Sequence, residues 1–250
     1  SVRYSPDGKR FAVGAANGTV VIWNAESRGE LFAWRAHECD VVALDVSLGR
    51  RWLATGALEA GGTTFKVWKI QEDPPDIKEA FSDCRHVGGV WAVCFSPDGR
   101  IVAAGGWTNS GYTAPQLYEV ESGNHFGWLH WDMTRAMGFS PDGLELVTGD
   151  EFGTVKHWVI EQHKPDREHK AHEGVVAAVG FSPDGERFFS AGGGWVKVWD
   201  KRDGRLLRQC PVDGRILAGR FADKGRVLLW ASAVSSYLRP HIQRLELPPE

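Results

Sequence analysis

Nine histidines and four cysteines are the side chains of this 250-residue chain best suited to hold a metal or move a proton. Cys39, Cys84, Cys94 and Cys210 stand at unrelated spacings with no Cys-x-x-Cys pair. That pattern argues for free core thiols and against a zinc site or redox pair. His163, His169 and His172 flank the charged run Lys164-Pro165-Asp166-Arg167-Glu168, which reads as a solvated loop. No Gly-x-Ser-x-Gly elbow, Gly-x-x-x-x-Gly-Lys phosphate loop or His-Glu-x-x-His zinc helix occurs. Gly192-Gly193-Gly194 is expected to be a hairpin turn, because no helix start follows it to cradle a phosphate. The sequence thus offers no catalytic residue, no cofactor site and no metal site.

The elements that position these residues are set by a repeat. Ser-Pro-Asp-Gly begins at Ser5, Ser96, Ser140 and Ser182, each time after an aromatic residue: Tyr4, Phe95, Phe139, Phe181. The spacing is about 40 to 45 residues, or twice that after Ser5. Degenerate copies at Val46-Ser47-Leu48-Gly49 and Phe221-Ala222-Asp223-Lys224-Gly225 complete six cycles. Their approximate bounds are 1–35, 36–84, 85–128, 129–170, 171–210 and 211–250. Ser at i, Pro at i+1, Asp at i+2 and Gly at i+3 suit a type I turn linking two antiparallel strands. After each turn comes an apolar run ending in Gly, such as Phe188-Phe189-Ser190-Ala191-Gly192, which suits a strand buried on both faces. A third strand closes on an aromatic (Trp23, Trp68, Tyr118, Trp158, Trp199), and a less regular outer segment such as Leu31-Phe32-Ala33-Trp34 follows. His157 stands where other cycles carry Ile22, Val67 and Val198, and is expected to be a satisfied core histidine.

Four-stranded units of this kind bury two apolar faces only by stacking on their neighbours, and radial stacking gives a β-propeller. With Ser-Pro-Asp-Gly, the apolar second strand and a terminal Trp199-Asp200, the chain resembles the WD-repeat family over nearly its whole length. The resemblance implies an all-β propeller with six visible four-stranded blades, the first and last incomplete, forming a single domain over residues 1–250. The chain opens at Ser1 without Met and in mid-cycle. It is therefore expected to be part of a longer polypeptide whose upstream portion supplies a closing strand or a seventh blade.

The family pattern places a His nine residues before the aromatic or its equivalent, here His37, His86, His130 and His172. These four sit in separate blades, so they are expected to be structural and not to converge on one ion. The family's Asp, six residues before the closing Trp, is replaced by Asn17, Gly62, Phe152 and Gly193. The structural tetrad of His, Ser or Thr, Trp and Asp is therefore incomplete in each aligned cycle.

By the same resemblance, the positions three and five after the His face a binding surface: Asp40 and Val42, Gly89 and Trp91, Met133 and Arg135, Val175 and Ala177. Trp and Arg are the residue types that anchor interfaces, which singles out Trp91 and Arg135. The enlarged loop from Gly106 to Tyr112 adds Trp107 and Tyr112 on that face. The candidate partner-binding residues are Asp40, Trp91, Met133, Arg135, Trp107 and Tyr112.

The expected function is a non-enzymatic scaffold that binds a protein or peptide on one face. The alternatives are a C-terminal sensor or regulatory module of a larger signalling or enzymatic protein, and a propeller enzyme with a central-channel site. A net charge of −3 from 29 basic and 32 acidic residues, with no long basic run, argues against a nucleic-acid partner. The absence of any ~20-residue apolar span argues against a membrane-crossing helix. A soluble, intracellular (cytoplasmic) domain, monomeric within a longer chain, is expected.

Overall fold

The computed structural model describes residues 1–5, 7–47, 51–58, 64–72, 75–84, 88–107, 115–129, 133–162, 164–233 and 241–247. Among these residues twenty-three strands form six antiparallel sheets, each built from strands consecutive in sequence. The first sheet holds β1 (Val2–Tyr4), β2 (Arg10–Gly14), β3 (Thr19–Asn24) and β4 (Glu30–Arg35). The second holds β5 (Val41–Ser47), β6 (Trp52–Ala57), β7 (Phe65–Glu72) and β8 (Pro75–Asp83). The third holds β9 (Val90–Phe95), β10 (Ile101–Gly106), β11 (Gln116–Glu119) and β12 (His125–Trp128). The fourth holds β13 (Thr134–Phe139), β14 (Glu145–Asp150), β15 (Thr154–Val159) and β16 (Lys164–Lys170). The fifth holds β17 (Val176–Phe181), β18 (Arg187–Gly192), β19 (Trp195–Asp200) and β20 (Leu206–Pro211). The sixth has three strands among the described residues, β21 (Arg215–Ala222), β22 (Val227–Ala233) and β23 (His241–Glu246).

Two details correct the sequence reading. The first cycle is a complete four-stranded sheet, because even the short β1 pairs with β2 from Val2↔Val13 to Tyr4↔Phe11. The charged run at Lys164 is no loop but the outer strand β16, paired to β15. An edge strand with one side open to water accommodates charges that a central strand would bury. The sequence also suggested strands for the Leu31 and Leu206 segments, and these are indeed outer strands.

The Ser-Pro-Asp-Gly turns explain the regularity. In each copy the Ser Oγ donates to the Asp Oδ1 two residues on and accepts the amide five residues on, at Arg10, Ile101, Glu145 and Arg187. The same Asp oxygen accepts the amide two residues further along, and the Gly amide closes the turn on the Ser carbonyl. The four serines are buried, so a fully paired hydroxyl is required there. The closing aromatic of the third strand always faces an apolar second-strand residue, as in Leu53↔Trp68, Leu146↔Trp158 and Phe188↔Trp199. Directly before that aromatic the pairing to the fourth strand slips in five sheets.

The chain forms two compact units, Ser1–Thr134 and Arg135–Glu250. Within the first, one apolar cluster joins the first and second sheets (Ala12, Ile22, Leu44, Leu53, Trp68) and another joins the second and third (Phe65, Val67, Val93, Val102, Tyr118). Within the second, Val147, Val155, Val176, Phe188 and Trp199 join the fourth and fifth sheets, while Phe189, Val198, Phe221, Leu228 and Trp230 join the fifth and sixth. Burying both faces of each middle sheet is what the continuous apolar second strands require. Hairpin turns dock onto the next sheet's entry segment: Gly18 O accepts the amides of Ala36 and His37, and Gly153 O those of Ala171 and His172. Gly153 has φ +92°, and a Cβ there would lie 1.9 Å from His172 O, so only glycine fits.

Candidate partner-binding site

The inner strand of a sheet pairs regularly with its neighbour except at one place. Pairing skips Val42 in β5, Trp91 in β9, Ala177 in β17 and Leu217 in β21. Each is a bulge, which re-aims one side chain out of the ladder. All four lie four residues before the strand's closing aromatic or its equivalent, and Arg135 holds that place in β13. In those four strands the backbone device is constant while its side chain is Val, Trp, Ala or Leu.

In the first unit Trp91 stacks on Trp107, with ring centroids 6.4 Å apart and planes 9° from parallel. Backbone hydrogen bonds fix the pair: Gly88 N–H donates to Trp107 O at 2.8 Å and Trp107 N–H to Gly89 O at 2.9 Å. Both indoles are half-buried. Exposed Leu58 lies against Gly89, and its amide donates to the carbonyl of exposed Asp40 at 3.3 Å. Asp40, Trp91 and Trp107 thus share one patch with Leu58, which the sequence register did not flag. Met133 is half-buried directly before β13. Tyr112, most of its loop, His86 and His130 lie outside the described residues.

In the second unit, Arg135, Val175, Ala177, Gly192, Gly193, Gly194, Gly214, Arg215 and Ile216 line a cleft of about 330 Å³. Arg135 forms an ion pair through Nε with Glu151 Oε2, each side chain about 30% exposed (31% and 30%). Gly193 and Gly194 are the two-residue loop of the β18–β19 hairpin, with φ +52° and +77° between the paired Gly192 and Trp195. Positive φ at both central residues is what a tight hairpin needs. Gly193 stands where the family commonly has its Asp, and a Cβ there would meet Glu173 O at 2.6 Å and Glu173 N at 2.8 Å. Close backbone approach replaces the missing side chain and leaves the cleft floor bare. Arg215 was missed because the sixth cycle lacks the His that sets the register. Counting seven back from Ala222, as Asp40 is seven before Ser47, would have found it.

His37 and His172 are tied into buried hydrogen-bond relays. His37 Nε2 is 2.8 Å from Thr55 Oγ1, which accepts the Trp68 indole N–H at 3.0 Å. His172 Nε2 is 2.7 Å from Ser190 Oγ, which accepts the Trp199 indole at 2.9 Å. Trp158 donates likewise to Thr148 Oγ1 at 2.9 Å. Burial, and secondarily Lys197, pushes the His172 pKa down to about 4, so the ring is neutral near pH 7. His157 is a partnered core residue: Nε2 is 3.3 Å from Glu145 Oε2, Nδ1 is 3.5 Å from Asp166 Oδ2, and the ring stacks on Phe188. Among the described residues no group of three or more His, Cys, Asp or Glu could hold a metal ion. Among the described residues no helix is long and apolar enough to cross a membrane.

Consecutive antiparallel sheets, closed by an aromatic that is tied through Ser or Thr to an entry histidine, have the form of WD-repeat blades. The family model for the WD domain, G-beta repeat, matches residues 1–24, 81–110 and 163–200. Those three segments carry the WD repeat, and the sheets have the form of its blades. It is 27% identical over 242 residues to "Telomerase protein component 1" of Mus musculus, covering 92% of this chain and 8% of that protein. It is 26% identical over 209 residues to "Apoptotic protease-activating factor 1" of Rattus norvegicus, covering 80% and 16%. A third relative, "Guanine nucleotide-binding protein subunit beta" of Oryza sativa subsp. indica, is 23% identical over 222 residues, covering 83% and 57%. The chain therefore spans less than two thirds of the length of each of these relatives.

Proposed function

We propose that the chain is a non-enzymatic interaction platform that binds a protein or peptide through the surface carrying the inner-strand bulges and the adjoining loops. The observation that carries this is the bulge itself, a fixed backbone device whose re-aimed side chain changes from sheet to sheet. Structural positions repeat, whereas recognition positions diverge. Trp91 with Trp107, and Arg135 with its cleft, supply aromatic and guanidinium anchors of the kind that dominate interface energy. Relatives sharing the repeat, among them "Protein groucho" and a G-protein β subunit, favour an interaction role over catalysis. The cysteines form no disulfide among the described residues, which suits a protein of the reducing cytoplasm.

The test is partner capture from lysate by the purified chain, identification by mass spectrometry, and re-binding of the purified partner to variants. Trp91→Ala combined with Arg135→Ala is expected to weaken binding by about a hundredfold or more. Undiminished binding by the folded double variant would reject the surface. A second reading, one regulatory module within a longer signalling or enzymatic protein, is favoured by relatives of which the matched region is 8% and 16%. The coding sequence around this segment tests it. A channel-site enzyme has no observation in its favour among the described residues.

A further inference from the structure

We infer that the cleft of the second unit is a site for one anionic side chain of an extended peptide, engaged by Arg215 with Arg135 as the second cation. This rests on the partner-binding reading above and names the chemistry of what is bound. Of the nine lining residues only Arg135 and Arg215 are charged, and no carboxylate lines the cleft. Glu151 sits on Arg135. Arg215 is exposed and forms no ion pair among the described residues. One guanidinium is thus partly neutralised and the other is open, which suits a single incoming anion. A guanidinium offers a carboxylate or phosphate two parallel N–H donors, a stronger and more directional contact than an ammonium gives.

The rest of the lining fits a peptide and not an isolated ion. Val175, Ala177 and Ile216 are apolar walls for the stem of a side chain. Gly192, Gly193 and Gly194 present a floor of bare backbone, and at Gly194 a Cβ would find its nearest atom 3.8 Å away, so the space above that floor is open. The volume of about 330 Å³ is at the small end for ligand clefts, room for a side chain and its flanking main chain. Two arginines in a chain of net charge −3 do not make a track for a polyphosphate backbone, which takes many cations in a row.

The experiment is fluorescence anisotropy of the purified chain with labelled short peptide pools, randomised except for a fixed central Glu, phosphoserine, Gln or Lys. The Glu or phosphoserine pool should bind at least about tenfold more tightly than the Gln pool, and whichever is tighter identifies the anion. Arg215→Ala should erase that preference. Gly194→Asp, which sets a carboxylate on the open floor, should erase it too, whereas Glu151→Gln should strengthen it by releasing Arg135. Retained near-native thermal unfolding checks that each variant is folded. Equal binding of the Glu and Gln pools, or a preference that survives in Arg215→Ala, overturns the site. If a captured partner binds Arg215→Ala undiminished, the anion site falls while the platform reading stands. If the pools discriminate but no partner depends on this surface, the site stands and the platform reading falls.

Discussion

Ser190 joins two buried groups, accepting the Trp199 indole N–H while contacting His172 Nε2. Ser190→Ala strands both, and each buried polar group left unpaired costs about 1–3 kcal/mol. The variant should therefore lose about 2–4 kcal/mol in urea unfolding, whereas Thr148→Val, which strands only the Trp158 donor, should lose about half that. The same relay sets a pH dependence. The His172 pKa falls from 6.5 to about 4 on folding, so between those values the unfolded chain binds more protons than the folded one. Stability is complete above pH 6.5 and declines as pH falls towards 4, by up to about 3 kcal/mol in all. His172→Gln should be less stable at pH 7.5 but should flatten that decline, and unfolding at pH 7.5 and 4.5 reads it. Asp142, held below the usual carboxylate range chiefly by the Ser140 hydroxyl, adds a loss of the same sign in more acid solution.

At the level of the element, the hairpin turns that dock on the following entry segment are the least forgiving. Gly153 and Gly174 both have left-handed backbone, φ +92° and +80°, yet a Cβ at Gly153 meets His172 O at 1.9 Å while at Gly174 nothing lies within 4 Å. Gly174→Ala should cost only the conformational strain of about 1 kcal/mol, and Gly153→Ala several times more, measured by thermal unfolding. The strands and turns were legible in the sequence because each obeys a local rule: Pro presets a dihedral, Gly closes a turn, and apolar runs mark a strand buried on both faces. The charged run at Lys164 broke the rule of thumb that polarity means loop. Paired charges such as Lys156–Glu168, at 3.5 Å across neighbouring strands, stabilise an outer strand that hydropathy alone does not reveal.

Across whole sheets, one carboxylate ties the first unit together. Asp45 on β5 accepts the Phe95 amide of β9 at 2.7 Å and lies 3.8 Å from Arg3 on β1, linking three successive sheets. Desolvation raises its pKa despite Arg3 and the amide bonds. A raised folded pKa means that its contribution is greatest below the unfolded value and is lost as pH rises. Asp45→Asn keeps an acceptor for Phe95 and removes the buried charge, so its stability relative to the parent should be higher at pH 7 than at pH 4. Asp45→Ala also leaves the Phe95 amide unpaired and should be about 1–3 kcal/mol less stable than Asp45→Asn at either pH. Urea unfolding at the two pH values separates the variants.

The sequence by itself determined the periodicity, the turn chemistry, the closing aromatics and the register of His37 and His172, because these depend on contacts within one cycle of the chain. It also marked Trp91 and Arg135 as the divergent residues of a repeated position. Tertiary structure decided what surrounds them. The bulge that re-aims Trp91 is a slip in strand pairing, and a slip has no signature in residue order. Trp91 meets Trp107 only through the Gly88–Gly89 backbone contacts. The cleft exists because three sheets bring Arg135, the bare Gly193–Gly194 turn and Arg215 together, a proximity of residues up to 80 positions apart in sequence.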